Sequence, residues 1–174
     1  MSNKDRVFIA IYRHPHDSEL TSLSSRPKAQ RYQWGIWVEP KNSTGQGTSF
    51  DLEDSAAFSS VANPFGWRLH IDDHKYLPTR MLGRIMIGKM PEGTNGSDVA
   101  EILKAVPLPS DPGSIIEDGV AWIRAAIEEL QDMGGAESFS VDTFIDDALG
   151  HAVSWQKNSK GPEKVNYTWS RTFP

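Results

Sequence analysis

The stretch Arg6-Val7-Phe8-Ile9-Ala10-Ile11-Tyr12-Arg13 decides the architecture. A strand sends alternate side chains to opposite faces. Val7, Ile9 and Ile11 form one set; Phe8, Ala10 and Tyr12 form the other. Both sets are apolar, so the spacing predicts a strand buried on two faces. Working outward, Tyr32-Gln33-Trp34-Gly35-Ile36-Trp37-Val38-Glu39 reads as a second strand. Tyr32, Trp34, Ile36 and Val38 share one face of it, and Gln33, Gly35 and Trp37 share the other. Residues 48–53 and 66–71 fit short strands, the latter with Trp67, Leu69 and Ile71 on one side. The run from Met81 to Met90 fits another. Residues 14–31, rich in Ser, Pro and charge, predict a long loop, and residues 40–47 carry turn residues.

Past Pro91-Glu92-Gly93 the period changes. Ser97 is placed to cap a helix whose stripe is Val99, Ile102, Leu103 and Val106. Pro107, Pro109 and Pro112 end it. Ser114 and Glu117 have the spacing of a capping box. The helix behind them carries Ile116, Val120, Ile123, Ile127 and Leu130, and Gly134-Gly135 stops it. A last helix, 141–155, shows Val141, Phe144, Ile145, Ala148, Leu149 and Ala152. Strands followed by helices predict an α+β fold: an antiparallel sheet of about five strands packed against about three helices. The 174 residues suit one domain spanning 1–174. Its parts are a strand-rich 6–90, a helix-rich 97–155 and an irregular tail 156–174.

Composition excludes several functions. The net charge of -5 comes with no Lys/Arg-rich run, which argues against nucleic-acid binding. No apolar run reaches the roughly 18 residues of a membrane span, and Met1–Arg6 does not lead a signal peptide. The expected location is cytoplasmic. The Asn-x-Ser/Thr matches at Asn42, Asn95 and Asn166 then carry no glycan. The chain has no cysteine. Disulfides, thiolate nucleophiles and cysteine-based zinc sites are all excluded.

Five pieces, taken in order, resemble a known group. They are Val7-Phe8-Ile9-Ala10-Ile11-Tyr12; Gln33-Trp34-Gly35-Ile36-Trp37-Val38; Leu82-Gly83-Arg84-Ile85-Met86-Ile87-Gly88-Lys89-Met90; Val99-x-x-Ile102-Leu103-x-x-Val106-Pro107; and Trp122-Ile123-x-x-Ala126-Ile127-x-x-Leu130. The chain resembles small fungal proteins that look like circularly permuted papain-fold thiol hydrolases, related to cell-wall amidases. The resemblance implies a permuted papain-like arrangement. In such families a His-Trp pair opens the second strand and an Asn-Cys-x-x-Trp run opens the long helix. A cysteine in a helix's first turn gains thiolate character from the dipole, and a facing histidine serves as base. Here Trp34 and Trp122 remain, Gln33 stands at the histidine position, and Asp118-Gly119 replaces the Asn-Cys pair. The resemblance therefore implies a thiol-hydrolase scaffold that has lost both halves of its dyad.

The candidate catalytic residues are Asp118, Gln33 and His70. Asp118 lies at a helix start, where the dipole favours its ionised form; it is either a cap or a base. Gln33 is expected to face Gly119 across a cleft, within reach of a ligand carbonyl or hydroxyl. His70-Ile71-Asp72-Asp73-His74 is the densest titratable run. It reads as a surface turn, as acid/base machinery or, least of all, as a metal site. Tyr32, Trp34, Trp37, Gly119 and Trp122 are the candidate ligand-binding residues, with core packing as the alternative for the aromatics. The expected ligand is a small molecule, with no cofactor and no metal; an oligomer stays open. Three functions compete. One is a small-molecule enzyme of cyclase, isomerase or lyase type that works by orientation and proton transfer, for which the resemblance suggests fungal secondary metabolism. The second is an inactive pseudoenzyme that binds a ligand or a protein. The third is a structural partner that stabilises another enzyme through its aromatic tail.

Overall fold

The computed structural model describes residues 3–14, 28–64, 66–109 and 118–168. Five strands come first: β1 (Arg6–Arg13), β2 (Tyr32–Glu39), β3 (Gly47–Asp54), β4 (Trp67–His74) and β5 (Met81–Lys89). Three helices follow: α1 (Gly96–Ala105), α2 (Asp118–Asp132) and α3 (Val141–Asn158). A short strand, β6 (Glu163–Asn166), comes last. The strands form one open sheet in the order β4-β3-β2-β1-β5-β6. Every neighbouring pair is antiparallel except β5 and β6, which are parallel. The fold is α+β.

The central position of β1 explains its two apolar faces. Val7, Ile9 and Ile11 enter the main core beside Ile36, Phe50 and Ile85, and all three helices close that core with residues such as Val99, Ile123 and Phe144. Phe8, Ala10 and Tyr12 enter a second cluster on the opposite face, with Trp37, Met81 and Met86. Burying a large apolar side chain stabilises by roughly 1.5–3 kcal/mol, so both faces hold the sheet together. No helix among the described residues is long and apolar enough to cross a membrane.

Three local expectations change. The sheet has a sixth strand, β6, in what reads as an irregular tail; it pairs Glu163–Asn166 with Gly83–Met86. Its four residues are too few to show alternation, and the pairing covers an edge that β5 would otherwise expose. The cap of α1 is Asn95, not Ser97. Asn95 Oδ1 accepts from the Ser97 N–H at 2.8 Å, and Asp98 Oδ2 accepts from the Asn95 N–H at 2.8 Å. This is a capping box set two residues earlier. Finally, β4 runs on to His74, so the titratable run lies on a strand and not in a turn. Ser114 and Glu117 lie outside the described residues.

Candidate functional site

The pleat of β2 decides which expected site residues meet. Tyr12 pairs directly with Gln33, and Phe8 with Trp37. Directly paired residues share a face. Gln33, Gly35 and Trp37 therefore project from the face that carries the second cluster. Tyr32 and Trp34 project from the other, into the core they share with Trp122. Gly119 belongs to α2, on that helix side. A Cβ placed on it would meet nothing within 4 Å among the described residues. The expected cleft between Gln33 and Gly119 is overturned, because a strand cannot send adjacent residues to one side.

The aromatic candidates on the helix side are packed into the main core. The Tyr32 hydroxyl donates to Gln156 Oε1 at 2.7 Å, tying β2 to α3. Trp34 Nε1 donates to the Ala29 carbonyl at 2.8 Å. Trp122 is buried, and its Nε1 has no partner. The backbone of Asp118 opens α2, but its side chain lies outside the described residues.

The opposite face brings other groups together. Gly35 pairs with Asp51, and Asp51 pairs with His70. A Cβ on Gly35 would collide with the Asp51 carboxylate oxygen. The missing side chain is what lets that carboxylate lie over the sheet. Asp51 Oδ1 is enclosed and has no hydrogen-bond partner among the described residues. Burial pushes the Asp51 carboxyl up to about 6, against the opposing pull of a Ser49 hydrogen bond and of the His70 and Arg80 charges. The Tyr12 hydroxyl, also enclosed, has no partner among them either. Burial first, and then the Asp51 charge, hold it well above the usual phenol range, while Arg80 opposes them. Arg80 Nη1 donates to Gln33 Oε1 at 3.1 Å, which sets the guanidinium beside this pair. Of the three expected catalytic residues, Gln33 and His70 thus flank one site, and its centre is Asp51.

Beside it lies a cluster of different character. Glu39 is fully buried. It accepts from Trp37 Nε1 at 2.8 Å, from Arg84 Nε at 2.8 Å and from Lys164 Nζ at 2.9 Å. Arg84 and Lys164 both lie over the Phe8 ring. The two clusters touch through Trp37, whose ring centroid is 5.4 Å from that of His74. His74 Nε2 is in turn 3.0 Å from Ser49 Oγ. Trp37, expected to bind a ligand, is wholly enclosed in this packing.

His70 and His74 have separate carboxylate neighbours, Glu53 at 3.8 Å and Asp72 at 3.7 Å. Among the described residues no group of three or more His, Asp or Glu could hold a metal ion. A cavity of about 420 Å³ opens at the Tyr12 end of the sheet, with Arg13, Leu77 and Met81 in its walls. Met81 pairs with Tyr12. A second, of about 410 Å³, lies between α3 and β6 and is lined by His151, Asn166 and Tyr167. None of the site residues expected from the sequence lines either one.

Sequence reasoning missed Asp51, Tyr12 and Arg80. One signal was present: Gly35 interrupts an aromatic face, and a glycine inside a strand marks close approach by another group. The site is thus an open α+β sheet that encloses one carboxylate oxygen and one phenol hydroxyl on the face away from its helices, neither with a hydrogen-bond partner among the described residues. Residues 4–160 match the family of unknown function DUF6914, and the chain belongs to that family. No curated protein and no solved structure matches it.

Proposed function

We propose that this chain is a small-molecule enzyme that works by non-covalent proton transfer, of cyclase, isomerase or lyase type. Asp51 is the acid/base group. A carboxyl titrating near 6 is mostly ionised at neutral pH yet lies about one unit from it, so it can take a proton and return it. Tyr12, held neutral, donates a hydrogen bond to a substrate oxygen. Arg80, oriented by Gln33, stabilises negative charge that develops there. His70 acts on Asp51 through its charge. The observation that carries this reading is the pair of enclosed polar atoms, Asp51 Oδ1 and Tyr12 Oη, with no partner among the described residues. Buried polar groups are nearly always bonded, and those left free mark strain or function. Asp118, Gly119 and Trp122 have no part in this proposal, and neither does the papain-like ancestry, since Gln33 and Gly119 sit on different faces.

The test is hydrogen exchange. The protein is incubated in D2O with a panel of small carbonyl and hydroxy compounds, and loss of C–H signals is followed by proton NMR. At least one compound is expected to exchange faster with the wild type than in buffer, and Asp51→Asn is expected to abolish the gain. No exchange above buffer, combined with equal ligand-induced shifts in wild type and Asp51→Asn, overturns the reading. Compounds that bind without exchanging, and bind Asp51→Asn more weakly, point to the pseudoenzyme that binds a ligand at this same site.

A further inference from the structure

The edge strand β4, whose His70 flanks the Asp51 site, carries a second pattern along its outer side. It reads Trp67-Arg68-Leu69-His70-Ile71-Asp72-Asp73-His74. β3 pairs with one side of it, and no described strand pairs with the other. Its outer residues are accessible: 47% of the Arg68 side chain, 56% of the Asp72 side chain and 39% of Ile71 are exposed. A long edge with an exposed Ile is a template for another strand.

Charge decides which strand fits. An antiparallel copy related by a two-fold axis normal to the sheet keeps each face matched to itself, so the axis must pass through a residue. Centred on His70, the register sets Arg68 opposite the partner's Asp72 and Leu69 opposite the partner's Ile71, each twice, with His70 opposite its own copy at the axis. The outermost pair, Trp67 with the partner's Asp73, is indifferent. Centred on Ile71, the register sets His70 opposite the partner's Asp72 and Ile71 opposite its own copy, but it leaves the permanent Arg68 charge opposite the partner's His74 and Leu69 opposite the partner's Asp73. Edge-guarding charges of one sign would repel a copy. Here opposite signs stand at equal distances from His70, so they attract it. Arg68 is already pre-oriented by Glu53 and by the Phe58 ring 4.1 Å away, which lowers the entropy it loses on pairing.

We propose that a second copy of this chain pairs its β4 antiparallel to this one about a two-fold axis at His70, so that one sheet runs through both copies.

Sedimentation equilibrium across a concentration series reads the association. The wild type is expected to show a reversible monomer–dimer equilibrium. Asp72→Arg sets Arg68 against a new arginine, and Arg68→Asp sets Asp72 against a new aspartate; each should weaken association roughly tenfold or more. Mixed in equal amounts, the two variants present complementary edges and should form a heterodimer. Ile71→Lys, at a position 39% exposed in the single chain, should weaken association while leaving the melting temperature unchanged at concentrations where the wild type is monomeric. A wild type that stays monomeric throughout, an Asp72→Arg variant that dimerises as well as the wild type, or a mixture that forms no heterodimer overturns the proposal.

Discussion

Glu39 and Asp51 stand on adjacent strands, on the same face of the sheet, and both carboxyls are withdrawn from water. Their surroundings differ completely. Glu39 has an indole, a guanidinium and an ammonium donating to it. Asp51 keeps one oxygen with no partner, and burial pushes its carboxyl up to about 6. A buried charge that is fully paired is a structural clamp, whereas one left unpaired costs stability and persists where something else requires it. The same sheet face thus carries one carboxylate that holds the fold and one that the fold tolerates. Removing each should move stability in opposite directions.

The largest effect belongs to Glu39→Gln. The change keeps the shape and deletes the charge, leaving Arg84 buried without its counter-ion. Breaking a buried pair from one side costs about 3–5 kcal/mol. Urea unfolding at neutral pH should show a loss of that size. A loss below about 1 kcal/mol would mean that the clamp contributes little, and the contrast with Asp51 would vanish.

Asp51→Asn should act with the opposite sign. Its folded-state pKa is raised above the ordinary 3.8, so the folded protein prefers the protonated form. The stability this confers is fully present below about pH 3.8 and is lost as pH rises through about 6. The wild type should lose up to about 3 kcal/mol across that window. Asp51→Asn cannot ionise, so its profile should be flatter by that amount. At pH 4 the variant should match the wild type, and near pH 7.5 it should be more stable by about 1–3 kcal/mol. Urea midpoints measured across the range check this. A variant less stable than the wild type at pH 7.5 would show that the charged Asp51 is paired after all.

The sequence reveals the clamp's setting better than the site's. Length and composition place β1, β2 and β5, because apolar runs of eight or nine residues rich in β-branched and aromatic side chains suit strands covered on both faces. The helical stripe of Val120, Ile123, Ile127 and Leu130 was equally plain. Asp51 was hidden by alternation. It alternates with Phe50 and Leu52, and Ser49-x-Asp51-x-Glu53 looks like the wet face of a half-buried strand. What encloses it lies elsewhere in the sequence: Gly35, Tyr12 and Arg80 reach it through pairings that no single segment displays. His70 was noticed for its local density of charge, and register alone ties it to Asp51. The pairing of Gln33 with Gly119 failed because a motif's order along the chain says nothing about which side of a strand a residue takes.

The smallest effect is the sharpest test of whether the site is truly unsatisfied. A buried hydroxyl without a hydrogen bond costs about 1–3 kcal/mol by comparison with a bonded one. Tyr12→Phe removes the hydroxyl and leaves the ring among Phe8, Trp37 and Met81 in the second cluster. It should therefore leave stability unchanged or raise it by up to about 1 kcal/mol. The thermal midpoint, read beside the hydrogen-exchange assay, separates two outcomes. A phenol that donates only to a ligand gives a variant of equal or higher melting temperature that has lost turnover. A phenol that donates within the protein gives a loss of about 1 kcal/mol or more, and the site would then be a second clamp.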